Sequence, residues 1–512
     1  MFLPFLFLLA ATLFANNGSI KETNGVVDYV ASSKEGVIVE QESPEAAANE
    51  RKWELRWGEI FGFNNHSSDI PLSAEQQPQQ VLSPYLARPV VPHTIEENEK
   101  ASGTWFGQRN VLASHGVNFS LTYTSDTVGN PVGGFSPGGC AYADVFVVAC
   151  LLETEKLFGW HGGYFTISAM ELNGQDLSQK NIGNIFPVQE TYAVETIHFN
   201  ELSFEQQFLD DRASIKFGRI IAGNEFGISP LAFLYMNAGI NANPEALWLN
   251  GRVSSYFNSV WGSRFKIDLP GSTLARVGAY QFTPYSRNGV NWDFYPENGV
   301  MLLAQYGWQP EFFKPSPSAS EKNEKEKKQA SSNSTNALSP TNHSSPKGFV
   351  GHYWMGGYYS TATYPQFNSN IPAANAFGLY WHADQTVYKP NPCNDDGLIL
   401  WSDYVLCPQE NISRLPFQVN AGIIYTGLIP GRSKDYTTFG VIYGDFSTNF
   451  AGVQQQNGNG FPTYELVYEW GYRIHLTNFA YIQPDLQWII NPGGTGNIPN
   501  ALVLGVETGV VF

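Results

Sequence analysis

Apolar and polar residues alternate along much of the chain after Gly116. In the segment 464–474, every second residue is aromatic or aliphatic, and Glu465, Glu469 and Arg473 lie between them. Successive residues of a β-strand point to opposite faces of the sheet, so this pattern predicts a strand with one apolar and one polar face. The same period of two recurs in the segments 117–124, 417–426, 481–490 and 502–512.

The alternating segments are about ten residues long and are separated by Gly, Pro, Asn and Asp, as in the strands of a membrane barrel. Counted backward from Phe512, the chain is predicted to contain sixteen strands. The predicted spans are 116–126, 142–155, 162–170, 197–209, 213–220, 261–269, 272–283, 299–308, 349–362, 376–387, 397–405, 417–428, 436–448, 463–475, 477–490 and 500–512. An even number of strands lets both ends of the barrel lie in the periplasm, and 221–260 is then the longest uninterrupted extracellular loop.

Two architectures are compatible with this alternation. In a soluble β-sandwich or β-propeller the apolar faces pack together, whereas in a membrane barrel they face lipid and the polar faces line a lumen. Charges of both signs in the middle of the polar faces, and many Tyr and Trp residues on the apolar faces, favour the barrel. The last strand also ends at Phe512, and a terminal aromatic residue is typical of the strand that the outer-membrane assembly machinery recognises. We therefore predict an all-β, transmembrane antiparallel β-barrel.

Three regions differ from the predicted barrel domain, which covers residues 101–512. Residues 1–15 form the one long apolar run, and its length predicts a signal peptide. Residues 16–100 are polar and predict a periplasmic extension that is partly disordered. Residues 311–347 include the sequence EKNEKEKK, have few apolar groups and predict a disordered insertion.

Composition narrows the class of partner. The chain has 512 residues, of which 14% are aromatic and 49 are Gly, and its net charge is -17. The aromatic and glycine content suits strands and turns. The acidic balance argues against nucleic acid, because a phosphate backbone is bound by clustered Lys and Arg.

Sequence motifs for catalysis or metal binding are weak. The chain has no H-E-x-x-H motif and no phosphate-binding G-x-x-x-x-G-K-[ST] motif, and its nine His are scattered without metal-ligand spacing. We therefore expect no catalytic residue, no cofactor and no metal. An outer-membrane hydrolase and a secreted, β-rich carbohydrate-binding protein remain as the alternative classes.

The alternation also assigns polar side chains to the lumen. A diffusion channel needs lining groups that exchange hydrogen bonds with a solute without holding it tightly. The candidates for the solute path are Glu201, Glu205, Lys216, Arg219, Glu225, Trp248, Arg252, Arg264, Arg276, Glu465, Glu469, Arg473, Asp485 and Gln487. For the candidates on the strands, the alternative is a ladder of charges that stiffens the wall without contacting solute. For the candidates in the 221–260 loop, the alternative is a loop that is exposed at the cell surface. That loop is rich in apolar residues, which predicts that it folds into the lumen and narrows it.

Several blocks of sequence carry a family likeness. They are Gly103–Trp105, Leu157–Gly163, Glu201–Gln207, Lys216–Arg219, Ala383–Gln385, Gly427–Asp435 and, most specific of all, Gln483–Gln487 followed by Asn491–Gly494. In these blocks the chain resembles the carbohydrate-selective, OprB-type porins. The long N-terminal region and the 311–347 insertion depart from that likeness, but neither touches the barrel blocks.

The resemblance implies a sixteen-stranded porin in the outer membrane of a Gram-negative bacterium. Its permeants would be glucose and related small neutral sugars, which diffuse passively through a polar, water-filled lumen. Its other partners would be outer-membrane lipids, the barrel assembly machinery and two further copies in a homotrimer. A general diffusion porin for small solutes is the nearest alternative function.

Overall fold

The computed structural model describes residues 100–193, 195–282, 292–313, 348–390 and 396–512. The predicted signal peptide and nearly all of the predicted N-terminal extension lie outside these residues, as does most of the 311–347 insertion. Within these residues, four short α-helices precede or connect the strands: α1 Gln108–Ser114, α2 Thr154–Phe158, α3 Glu245–Gly251 and α4 Thr448–Gln456. Among the described residues, no helix is both long and apolar enough to cross a membrane.

The described strands form a closed antiparallel β-barrel. Sixteen long strands make the wall. The remaining strand, β9, has two residues and pairs with the first two residues of β10, next to the part of β10 that pairs with β8. The bounds are β1 Val117–Val132, β2 Gly139–Glu153, β3 Gly163–Gly174, β4 Thr196–Phe208, β5 Ala213–Ile220, β6 Val260–Leu269, β7 Thr273–Gln281, β8 Val300–Trp308, β9 Glu311–Phe312, β10 Phe349–Gln366, β11 Ser369–Tyr388, β12 Gly397–Leu406, β13 Phe417–Thr426, β14 Tyr436–Asp445, β15 Tyr464–His475, β16 Ala480–Ile490 and β17 Ala501–Val511. The barrel closes where β17 pairs with β1, which confirms the predicted fold class.

Two hairpins are longer than the sequence predicted. Residues 126–142 were expected to be a connection, but β1 and β2 continue and leave a turn of only 133–138. Similarly, β11 begins at Ser369 rather than near 376. Pro372 is tolerated there because β12 pairs with β11 only from Leu379 onward, so the missing N–H of Pro372 interrupts no ladder on that side.

The two faces of the wall differ as the alternation predicted. Outward-facing Phe217, Trp470 and Leu504 are 50%, 43% and 49% exposed, whereas inward-facing Glu469 and Glu507 are fully buried. In a water-soluble protein most apolar side chains are buried and most charged side chains are exposed, whereas this barrel has apolar side chains outside and charged side chains inside. This pattern suits a barrel whose outer surface meets lipid, and it does not suit the soluble sandwich or propeller.

The connections assign the two ends of the barrel. Long connections such as 175–195 and 221–259 lie at the end away from Phe512, and short ones such as 209–212 and 270–272 lie at the same end as Phe512. Outer-membrane barrels place short turns in the periplasm and long loops outside the cell. The end that carries Phe512 is therefore the periplasmic end.

The connection 309–348 between β8 and β10 is an exception, because it is long and leaves from the periplasmic end. We expect a cysteine placed at Ser334, which lies outside the described residues, to resist a membrane-impermeant thiol reagent in intact cells. It should react after the outer membrane is opened. Labelling in intact cells would contradict the orientation of β8 and β10. A cysteine at Asn457, in the connection between β14 and β15, is the matched extracellular control.

Candidate functional site

Loop 3, defined as residues 221–259 between β5 and β6, lies inside the barrel. Its backbone N–H groups at Met236 and Asn237 donate to the Glu469 carboxylate on β15, across the lumen from β5. The Tyr235 hydroxyl donates to the Phe439 carbonyl oxygen on β14 at 3.1 Å. Loop 3 therefore crosses the interior and is held by the opposite wall.

The composition of loop 3 explains this position. Pro230, Leu249, Arg252 and Asn258 are its only residues that are not buried. Its apolar side chains join a core cluster with inward-facing wall residues such as Tyr280 and Trp401. Burial of so many large apolar groups stabilises the inward conformation, at about 1.5–3 kcal/mol for each fully buried side chain. The prediction that this loop folds into the lumen is confirmed.

A second connection also enters the barrel, and the alternation along the chain did not predict this. Loop 2, defined as residues 175–195, passes along the inner face of β15, β16 and β1. Glu465 accepts hydrogen bonds from the backbone N–H groups of Ile185 and Phe186, and Gln487 donates to the Val188 carbonyl oxygen at 3.0 Å. The apolar side chains of Ile182, Phe186 and Val188 were the available signal, because a solvated loop would not carry them.

Six charged side chains contact one another between the wall and loop 3. We call them the charge belt, and its members are Glu201, Glu205, Lys216, Glu225, Arg264 and Arg276. Lys216 Nζ lies 2.8 Å from Glu201 and 3.3 Å from Glu225. Arg264 lies 2.9 Å from Glu225 and 3.0 Å from Glu205. Arg276 Nη1 donates to the backbone carbonyl oxygen of Glu225 at 3.0 Å. All six were predicted as lumen residues, and the structure brings them together.

Glu225 is the loop 3 residue at the centre of the charge belt. Burial alone would raise the pKa of its carboxyl group, but Arg264, and after it Lys216 and Arg276, lowers that pKa well below the usual value of 4.5. Glu225 is therefore ionised at neutral pH. The belt then contains three carboxylates and three cations, so its formal charges cancel.

The other predicted lumen residues mostly hold the loops in place. Glu465 binds loop 2, and Glu469 binds loop 3, as described above. Arg473 donates to the Phe233 carbonyl oxygen of loop 3 at 2.9 Å and to Glu507 at 2.8 Å. Asp485 accepts a hydrogen bond from Gln487 at 3.0 Å. This wall therefore attaches both loops through charged and amide groups, which the sequence alone could not distinguish from solute contacts.

Three candidates lie elsewhere. Trp248 is buried within α3, and Arg252 is exposed just after α3. Arg219, by contrast, is on the outer face of the barrel, which corrects its placement in the lumen. Lys216 points inward and the ladder of β5 has no bulge, so a residue three positions later points outward. There its guanidinium lies 5.9 Å above the Trp292 ring, and Trp261 packs beside that ring.

The inner wall of β10, β11 and β12 carries polar residues that are not among the predicted lumen residues. His382 hydrogen-bonds to Asp384 at 3.0 Å and to Asp403, and His352 hydrogen-bonds to Asp384 at 2.9 Å. Trp354 stacks on His382 with ring centroids 3.9 Å apart. The alternation of apolar and polar residues in 376–387 could have identified His382 and Asp384.

The chain contains one match to a hydrolase motif that was not predicted to matter. Residues Gly134–Gly138 have the G-x-S-x-G spacing of a hydrolase nucleophile, with Ser136 at its centre. In those enzymes the serine lies between a strand and a helix. Here the segment is the turn between β1 and β2. This geometry does not favour a nucleophilic serine.

A closed barrel with an apolar outer face, a charged interior and two infolded loops defines the class of outer-membrane diffusion porins. The sequence model of the family described as carbohydrate-selective porin, OprB family, matches residues 138–512. The chain therefore belongs to that family. It is a sugar-selective porin that spans the outer membrane of Gram-negative bacteria as a multi-pass β-barrel. Membership of this family indicates a channel rather than an enzyme.

Individual relatives agree with this assignment. Porin B of Pseudomonas aeruginosa is 26% identical over 449 residues, which cover 80% of this chain and 90% of the relative. The putative porin QuiX of Acinetobacter baylyi is 20% identical over 450 residues, covering 80% and 92%. The high-pH structure of Pseudomonas putida OprB has a TM-score of 0.71 at 22% identity, covering 82% of this chain and all of that one. This likeness between structures supports the fold.

Proposed function

We propose that small neutral sugars diffuse passively past the charge belt and loop 3, and that the chain carries out no chemical step. The observation that supports this pathway is the crossing of loop 3 from β5 to the opposite wall, which narrows the lumen beside the belt. Glu205 is the least buried carboxylate of the belt, with 21% of its side chain exposed. A solute that passes along the wall would meet its carboxylate.

Cancellation of charge in the belt favours neutral solutes. A belt with an excess of one sign would concentrate ions of the opposite sign and repel the others. Three carboxylates paired with three cations instead cancel, so the belt adds no net formal charge to the lumen. A sugar hydroxyl both donates and accepts, so it can exchange water for the partly exposed Glu205 carboxylate without a large change in free energy.

Swelling of liposomes that contain the purified porin tests this function. We expect neutral monosaccharides to enter faster than amino acids of similar size that carry a net charge, and faster than disaccharides. Equal rates for sugars and charged amino acids of similar size would indicate a general diffusion porin and would overturn the proposed selectivity. Liposomes without protein provide the background rate.

We also propose that three copies associate through the outer wall of β1, β2 and β17. This wall carries polar groups where lipid is expected. The hydroxyls of Tyr123 and Tyr142 donate to the Asp144 carboxylate at 3.1 and 2.8 Å, and the hydroxyls of Ser125 and Thr508 lie 2.7 Å apart. A carboxylate that faces lipid is costly, so coverage by another copy would stabilise it.

Replacement of Asp144 by Arg tests this interface. We expect Asp144→Arg to convert a trimer into a monomer in mild detergent, as measured by light scattering of the protein–detergent complex. The matched control is Tyr359→Arg, since Tyr359 is exposed on β10, on the opposite side of the barrel. A monomeric wild type, or equal dissociation of both variants, would rule this interface out.

We further propose that β17 is the strand that the assembly machinery recognises. Leu502, Leu504 and Val506 form its outward apolar row, and the Phe512 ring lies 6.3 Å from Phe146 on the outer face. Deletion of Phe512 or Phe512→Asp should lower the amount of folded barrel severalfold, measured by heat-modifiable gel mobility of outer-membrane fractions. Phe512→Tyr is the conservative control. Wild-type amounts in the deletion strain would contradict the proposal.

A further inference from the structure

Three carboxylates meet inside the barrel at the seam where β17 closes on β1. Asp126 of β1 and Glu507 of β17 are directly opposite each other in the ladder, and Glu190 reaches them from loop 2. One oxygen of each carboxylate lies within 4.8 Å of one oxygen of each of the others. The exposed fractions of the three residues are 0%, 0% and 3%. Positions that are remote in the sequence therefore form one buried acidic cluster.

Each of these carboxylates has an oxygen that is not engaged. Within the described residues, Asp126 Oδ1, Glu190 Oε2 and Glu507 Oε2 have no hydrogen-bond partner. The second oxygen of Asp126 accepts from the Thr191 backbone N–H at 3.1 Å and from its hydroxyl at 2.8 Å. The second oxygen of Glu507 accepts from Arg473 at 2.8 Å. These donors occupy one oxygen of Asp126 and one oxygen of Glu507, and the other oxygen of each carboxylate is buried without a donor.

The charges at the seam do not balance. Like charges that lie directly opposite each other on neighbouring strands destabilise a sheet, and buried charges need partners of opposite sign. The guanidinium of Arg473 supplies one positive charge to three carboxylates, which leaves two negative charges, and the Asp485 carboxylate repels the cluster further. The charge belt, in contrast, pairs every carboxylate with a cation.

We propose that Asp126, Glu190 and Glu507 bind one divalent cation of the Ca²⁺ class. Hard divalent cations prefer carboxylate oxygens, and three buried carboxylates, each with one oxygen that lacks a hydrogen-bond donor, are close enough together to provide ligands for one such cation. The cation would join loop 2 to the closing seam of the barrel. Loop 2 contacts loop 3 where the Ala238 N–H donates to the Pro187 carbonyl oxygen at 3.0 Å. Occupancy would therefore stabilise both infolded loops.

Calcium binding to the purified, full-length barrel tests this site independently of transport. Protein folded in detergent is stripped with EDTA, dialysed and titrated with CaCl₂ by calorimetry at neutral pH. We expect one site per chain with a dissociation constant of roughly 10⁻⁴–10⁻³ M or lower. Calcium should also raise the temperature at which the barrel unfolds.

Two variants of loop 2 give a matched comparison. Glu190→Gln removes a ligand and should weaken calcium binding by roughly tenfold or more, whereas Glu195→Gln removes the same charge from an exposed position of the same loop and should not. Asp126→Asn provides a second test from the barrel wall. Absence of calcium binding in the wild type, or an equal loss in Glu195→Gln, would overturn the proposal. An unfolding temperature that rises on acidification and does not respond to calcium would also overturn it, because shared protons would then hold the cluster.

Discussion

Excision of residues 228–246 from loop 3 should raise the single-channel conductance of the porin severalfold and remove most of its discrimination between monosaccharides and disaccharides. The excised segment contains the crossing of the lumen, including Met236 and Asn237, which bind Glu469. Water would replace these donors at Glu469 in the widened lumen. Conductance in planar bilayers and liposome swelling with sugars of increasing size measure the two effects.

The structure makes this excision practicable. The side chain of Leu247 lies so near Gly227 that a Cβ at Gly227 would be 2.8 Å from Leu247 Cδ1, so a short glycine linker can join the two cut ends. Excision of residues 452–459 is the control, because it shortens a connection at the same end of the barrel and removes no buried residue. If the loop 3 deletion assembles but conductance and size discrimination stay unchanged, another segment forms the constriction.

Replacement of Glu225 by Gln should shift the selectivity of the pore toward anions and weaken the attachment of loop 3. The variant leaves the charge belt with two carboxylates and three cations. Breaking a buried ion pair typically lowers the free energy of unfolding by about 3–5 kcal/mol. The lower end of that range applies here, because Lys216 remains paired with Glu201 and Arg264 remains paired with Glu205. Reversal potentials in a salt gradient measure the shift in ion selectivity.

A compensating change distinguishes charge from shape. Adding Lys216→Met to Glu225→Gln restores two charges of each sign, so ion selectivity should return toward that of the wild type. Glu155→Gln, at an exposed periplasmic position, is the control. A shift of the same size in Glu155→Gln, or a lack of recovery in the double variant, would show that cancellation of charge in the belt does not set selectivity.

The pH dependence of the Glu225 contribution has a defined sign. The folded-state pKa of Glu225 lies well below 4.5, the usual value that the unfolded chain would have. Its contribution to stability is therefore fully present above about pH 5 and is lost only as the pH falls through the folded-state value. Mild acidification from pH 7 to about pH 5.5 should consequently not reproduce the effect of Glu225→Gln.

Sequence alone determined the wall of this protein. A period of two over sixteen segments identifies the strands, and in β15 it places Glu465, Glu469 and Arg473 on the inner face. This works because the side-chain direction in a strand depends only on its position along that strand. The composition of loop 3 was equally informative, because a loop with so many apolar side chains needs a surface to pack on.

Only the tertiary structure decided which inner charges contact loops and which contact one another. Period alone cannot show that Glu469 binds Met236, because that pairing depends on how loop 3 crosses the lumen. The two-residue period of a strand does correct the placement of Arg219 in the lumen. Arg219 lies three positions after Lys216, so the two side chains point to opposite faces of the wall and Arg219 faces outward. The cluster of Asp126, Glu190 and Glu507 has no signature in sequence spacing, because closure of β17 on β1 and the inward path of loop 2 bring its members together. Local sequence fixes the direction of each side chain along a strand, but contacts between remote segments form only when the barrel closes and its loops fold inward.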